Sequence, residues 1–145
     1  MIKVFKQRMF SRILVLQGIY SFKISDNSLH DIENFLINGK NINKIDVIFF
    51  RKVFYNFKDK EISLNFFLEN IIDKYTIISI LENIIIKIAL FEIFYLKELS
   101  FNIIINESIN LSKKFCSKNS YMIINKILNI AVKGYIYNSN FFLKC

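Results

Sequence analysis

Few side chains in this sequence are equipped for chemistry. Histidine occurs once, at His30, and cysteine twice, at Cys116 and Cys145. Two isolated cysteines make neither a zinc site nor a disulfide framework. His30 falls on a short polar helix with no partner at a helical spacing, so a surface role is the simpler reading. There is no Gly-rich phosphate loop, metal-ligand cluster or nucleophile elbow. The chain is therefore expected not to be an enzyme and to carry no cofactor or metal. What remains is cationic. The 145 residues carry a net charge of +8, which points to an anionic partner, nucleic acid or a membrane surface. Solubility and codon bias compete as explanations for lysines scattered over helix faces. Arginine is more telling, because only Arg8, Arg12 and Arg51 occur in a chain whose default cation is lysine. Arg8 and Arg12 stand one helical turn apart on one stripe. A basic helix end of this kind can contact phosphates, which gives affinity without sequence information, or it can be simply solvated.

The elements that must position these groups are helices. Hydrophobic residues make up 53%, proline is absent and glycine occurs three times, leaving little turn chemistry for a many-stranded fold. Ile, Phe, Lys and Asn dominate, consistent with an A/T-rich genome, so periodicity outranks propensity as a guide. A first helix is predicted over residues 3–23, with Phe10, Ile13, Leu14, Gln17 and Tyr20 on one side. Ser25-Asp26-Asn27-Ser28 breaks it, and Ser28 with Asp31 opens a short helix to about residue 37. Asn38-Gly39-Lys40-Asn41 is the next joint. Residues 43–74 read as one long helix with a stripe of Ile45, Ile48, Phe49, Val53 and Phe57, resuming at Ile62, Phe66, Phe67 and Ile71. Lys58-Asp59-Lys60-Glu61 is a solvated turn of that helix or a break, and the absence of Gly and Pro there favours continuity.

Residues 81–96 are the organising stretch. They are apolar nearly all round, as befits a helix in the middle of a bundle, and Ser79 with Glu82 forms a capping box at their start. Lys87 and Glu92 inside the run, and an uninterrupted apolar length well short of the ~20 residues needed to cross a bilayer, argue against a membrane span. A fifth helix is expected over 102–115, burying Ile105, Ile109 and Leu111. A sixth starts between Ser117 and Ser120 and runs to Val132, burying Ile123, Ile124, Ile127, Leu128 and Ala131, with Gly134 as its stop. One domain is expected over 1–134, followed by a tail over 135–145 of uncertain order. The N-terminal Met1 to Lys6 is like a signal n-region, but Gln7, Arg8, Ser11 and Arg12 interrupt what would be its apolar core. No export is expected, and the cysteine usage suits a reduced cytoplasm.

Several segments, taken in order, resemble one family. They are Arg8-x3-Arg12-x4-Gln17-x2-Tyr20, Ile45-Asp46-Val47-x2-Phe50, the central "KIALFEI" from Lys87 to Ile93, "INESINLSKKF" from Ile105 to Phe115, and Ser120-x4-Asn125-x2-Leu128. The ordered set, from about Arg8 to Val132, is similar to the NusB family of bacterial transcription antitermination factors. The resemblance implies an all-α fold, a compact helical bundle of six to seven helices in two packed subdomains, without catalysis. It implies binding of boxA-type single-stranded RNA in ribosomal RNA transcripts together with NusE, a small-subunit ribosomal protein, within the RNA polymerase elongation complex with other Nus factors. Some relatives are thought to form homodimers that hide the RNA surface.

Residue by residue, Arg8 and Arg12 match the family's arginine-rich segment, with Lys3 and Lys6 as supplements. Phe115 and the Asn119-Ser120 turn match a region near RNA. Tyr20 and Glu82 match the NusE dock, although a core-edge tyrosine and a helix cap are the simpler readings. Asn106 and Glu107 are left out of the RNA site, since they suit a helix junction. The chain also departs from the pattern. Met9 and Phe10 stand where the arginine cluster usually continues, Asn102 stands where a lysine is expected, and Met122 where another basic or polar residue is expected. Cys116 and Lys126 replace glycines, and the aromatic expected near Ile123 is missing. The joint before the central helix looks shortened. These departures bear on RNA affinity more than on the fold.

Two other readings stay open. A NusB-like RNA-binding domain also fronts ribosomal RNA cytosine methyltransferases and would link the chain to RNA modification or maturation. That reading needs a catalytic domain after Cys145, so chain length disfavours it. A helical protein-interaction module without an RNA role is the other.

Overall fold

The computed structural model describes residues 2–40 and 42–137. The tail expectation over 138–145 lies outside the described residues. Six α-helices and no strand occur among the described residues: α1 (Ile2–Ile24), α2 (Leu29–Ile37), α3 (Val47–Ile71), α4 (Ile80–Phe91), α5 (Phe101–Phe115) and α6 (Ser120–Tyr137). A 3-10 turn at Ile42–Lys44 precedes α3, and a π-helical turn at Glu92–Leu96 extends α4.

The helix boundaries follow from capping chemistry. Ser28 caps α2 by accepting a hydrogen bond from the Asp31 amide at 3.2 Å. Past α2, Gly39 takes a left-handed φ of 77°, a conformation open to glycine at little cost. The long third helix starts at Val47 rather than Asn43, because Asp46 ends the preceding turn. Its Oδ1 accepts from the Phe49 amide at 3.0 Å and its carbonyl from the Phe50 amide at 2.9 Å. The helix then continues unbroken through Lys58-Asp59-Lys60-Glu61. At α4 the capping box is complete: Ser79 Oγ accepts from the Glu82 amide at 3.2 Å, and Glu82 Oε1 accepts from the Ser79 amide at 2.9 Å. The π turn ends where Lys97 adopts a left-handed φ of 55° and its amide reaches back five residues to the Glu92 carbonyl at 2.8 Å. Gly134 does not stop α6, which runs on to Tyr137. Tyr135 packs against Phe94 and Phe101, with ring centroids 5.3 and 6.0 Å apart, so aromatic contact holds the added turn.

By its contacts the chain divides into two units, Met1–Lys58 and Asp59–Cys145. In the first, α1 buries Leu14, Val15, Leu16 and Ile19, while Gln17 is exposed. Of the predicted stripe, Leu14 is buried, Phe10, Ile13 and Tyr20 are half-buried and Gln17 is exposed, so the buried face is turned toward Val15 and Ile19. Gly18 lets α1 approach Phe54 and Leu36, because a Cβ there would lie 2.8 Å from the Phe54 ring and 3.2 Å from a Leu36 methyl. Phe50 and Phe54 stack at 5.1 Å beneath it. In the second unit every residue from Ile84 to Phe91 is buried, and α4 packs against α5 and α6. Lys87 is among them, its Nζ 3.4 Å from Glu61 Oε2, which offsets part of the cost of burying a charge. On α3, Ile48, Ile62 and Phe66 face solvent while Phe50, Phe54, Leu64 and Leu68 are buried. Phe49, Val53, Phe57 and Phe67 of the predicted stripe are buried with them, so the buried face of α3 is the predicted one widened, not replaced.

Candidate nucleic-acid interface

In the first unit the basic residues of α1 separate into two kinds. Lys3 and Lys6 are exposed. Arg8 and Arg12 turn inward. The Arg8 side chain is only 17% exposed, and its Nη2 and Nε lie 3.2 and 3.3 Å from Asp46 Oδ2. Arg12 is 2% exposed. Both guanidinium groups sit over the Phe49 ring, at 4.5 and 5.2 Å from its centroid, within the range of a cation–π attraction. The expectation of direct RNA contact from these arginines thus meets a geometry in which both are engaged inside the unit.

Asp46 is the hinge pin of this arrangement. One carboxylate oxygen caps α3, the other accepts from Arg8, and its own amide donates to Ser11 Oγ at 2.8 Å. Ser11 Oγ in turn donates to the Gln7 carbonyl at 2.7 Å, and Gln7 Nε2 donates to the Asn43 carbonyl at 2.6 Å. These links tie the start of α1 to residues 43–46. Between them lies a groove of about 540 Å³ lined by Lys3, Lys6, Gln7, Phe10, Asn43 and Lys44. Lys40 Nζ lies 5.9 Å from the Phe10 centroid. Phe10, Lys40 and Lys44 were not legible as site residues, because the 3-10 turn meets α1 only through contacts more than thirty positions apart in sequence. The one local signal was Phe10 itself, an aromatic among basic residues.

Tyr20 is half-buried on α1. Elsewhere in the first unit, Glu33 forms a polar knot. Its carboxylate accepts from Arg51 Nε at 2.7 Å and from the Tyr55 hydroxyl at 2.5 Å. Burial pushes the Glu33 carboxyl up, but the hydrogen bonds from Arg51 and Tyr55 and the Arg51 charge outweigh burial and hold it below the usual range. Burial, then the bond to Glu33, pushes the Tyr55 phenol up to about 12.

In the second unit, Phe115 ends α5 half-buried, Asn119 is exposed and Ser120 is buried. The Ser120 hydroxyl lies 3.0 Å from that of Ser117, and its amide donates to the Ser117 carbonyl at 3.1 Å. Ser120 therefore fixes the turn that displays Asn119. Lys113, Lys114 and Lys118 are exposed around it, and Lys113 Nζ lies 5.2 Å from the exposed Tyr121 ring. The Tyr121 ring lies two positions before Ile123, near which the resemblance implies an aromatic, and on a different face of α6. Burial, and secondarily the Glu82 charge, raise the Cys116 thiol, which favours its neutral form. Glu82 is half-buried and engaged in the α4 cap.

Among the described residues no cluster of three His, Cys, Asp or Glu side chains could hold a metal. No described helix is long and apolar enough to cross a membrane. A family model described as "NusB family" matches residues 9–133. The chain is 30% identical over 128 residues to the "Transcription antitermination protein NusB" of Shewanella frigidimarina, covering 88% of this chain and 96% of that protein. It is 32% identical over 127 residues to the protein of the same name from Pseudoalteromonas translucida, covering 85% and 91% respectively.

Proposed function

This chain belongs to the NusB family, and from that premise we propose that it is a non-catalytic RNA-binding antitermination factor of the cytoplasm. It binds boxA-type single-stranded RNA of ribosomal RNA transcripts together with NusE, and through them joins the RNA polymerase elongation complex. The observation that supports this reading best is the exposed basic end of α1, Lys3 and Lys6, mounted on an element that Asp46 and Ser11 hold fixed. Those lysines meet phosphates. Arg8 and Arg12 belong to the same site chiefly by fixing the helix end and adding positive potential. In the second unit, Phe115 and Asn119 offer a ring edge and an amide to RNA, and Ser120 holds their turn. Tyr20 in one unit and Glu82 in the other are separate contacts for NusE. A homodimer that covers the RNA surface is the resting form this reading allows.

The test is titration of labelled boxA-type RNA and a scrambled RNA at two salt concentrations, with and without NusE. Preference for boxA, strengthened by NusE and weakened by salt, is the expected result. Equal binding to scrambled RNA under every condition would sink the antitermination reading in favour of a protein-interaction module. For Glu82, substitution by Gln keeps the capping hydrogen bond, so E82Q is expected to leave the unfolding midpoint unchanged while weakening NusE binding. Unchanged NusE binding would leave Glu82 with the cap alone.

A further inference from the structure

We propose that the groove between α1 and the 3-10 turn is a nucleotide subsite in which one RNA base stacks on Phe10 while Lys3, Lys6 and Lys44 hold the flanking phosphates. The inference rests on the RNA-binding reading and moves its centre away from Arg8 and Arg12, which are engaged internally.

Three observations converge on this occupant. The groove's composition matches a nucleotide: an aromatic ring lies at its wall, ammonium groups stand around it, and no carboxylate is among its described lining residues. A ligand with flat apolar faces and an anionic periphery complements that arrangement, and base–aromatic stacking tolerates any sequence because every base has a π-face. The volume of about 540 Å³ falls within the ~300–1,000 Å³ of small-ligand sites. Finally, the walls are tied before any ligand arrives. Gln7 Nε2 to the Asn43 carbonyl at 2.6 Å, the Asp46 amide to Ser11 at 2.8 Å and Arg8 to Asp46 at 3.2 Å join α1 to residues 43–46. A preformed groove lowers the ordering cost of binding. The amides of Gln7 and Asn43 stand in the same wall, the chemistry that meets a splayed base edge. Phe10 thus supplies stacking at a position where the family pattern has a cation.

The chain contains no tryptophan, so F10W installs a single indole in the groove. With circular dichroism confirming the fold, its emission is titrated with boxA-type RNA and with an abasic RNA of the same length, while anisotropy of labelled RNA reports binding independently. Stacking predicts quenching that tracks the anisotropy for base-bearing RNA and no quenching by the abasic strand. In parallel, F10L is expected to weaken binding of base-bearing RNA by roughly 5- to 100-fold and to leave abasic RNA unaffected. K44A should lower the slope of log K against log salt by about 0.7. Saturated anisotropy with unchanged indole emission would overturn the subsite while leaving the RNA reading intact. Absence of any RNA binding overturns both. Quenching by NusE alone, without RNA, assigns the groove to a protein segment and also overturns the proposal.

Discussion

Arg12 and Lys6 show how differently two cations on one helix can be used. The Arg12 guanidinium is buried over Phe49, and its aliphatic stem packs as an apolar side chain would. R12A should therefore lower stability by about 1–3 kcal/mol in urea unfolding, whereas K6A should stay within about 0.5 kcal/mol and weaken RNA binding. A stability loss for K6A as large as for R12A would contradict this division. The Glu33 knot carries the second residue-scale expectation. Its carboxyl lies below the ordinary value of 4.5 in the folded chain, so its stabilising contribution is complete above that pH and is lost as pH falls through the lower, folded value. Tyr55 has the opposite sign. With its phenol raised from 10.0 to about 12, its contribution is present below pH 10 and is lost as pH rises through about 12. E33Q should flatten the acid side of a plot of unfolding midpoint against pH and bring the Tyr55 phenol down in an ultraviolet titration. A wild-type acid profile in E33Q would place the sensitivity elsewhere.

At the scale of elements, α1 is a helix whose packing outweighs propensity. Gly18 stands in its interior, where alanine would improve helix propensity by about 1 kcal/mol. The added Cβ would nevertheless lie 2.8 Å from the Phe54 ring, which is buried and stacked on Phe50. Overpacking of this kind costs about 1–3 kcal/mol, so G18A should lower the thermal midpoint. A rise would mean that α1 shifts freely against α2 and α3. Helix existence and caps were readable because they depend on neighbours three or four residues away: Ser28 with Asp31, Ser79 with Glu82, and an α3 unbroken at residues 58–61. Helix faces and ends were less readable. Ile62 and Phe66 are as apolar as Leu64 and Leu68, and only packing decided which pair is buried. Gly134 was a reasonable stop until Tyr135 met Phe94 and Phe101.

For the whole molecule, the excess of lysine predicts binding that weakens steeply with salt. Each phosphate contact to a single strand contributes about 0.7 to the slope, so removing Lys3 and Lys6 together should reduce it by roughly 1.4. A slope unchanged in that double variant would place the contacts elsewhere, with the lysines of α5 and the following turn as the next to vary. The sequence by itself determined the all-α class, the order of the helices, the central apolar stretch and the family, because all of these are written in local spacing and ordered motifs. It could not say which cations are available to a ligand. Arg8 and Arg12 carry the same charge whether buried or exposed, and Asp46, 38 positions after Arg8, decides the matter only once the chain has folded. The groove beside Phe10 exists for the same reason. Its walls come from segments far apart in sequence, and hydrogen bonds between them, not residue types along the chain, bring an aromatic ring and three lysines together.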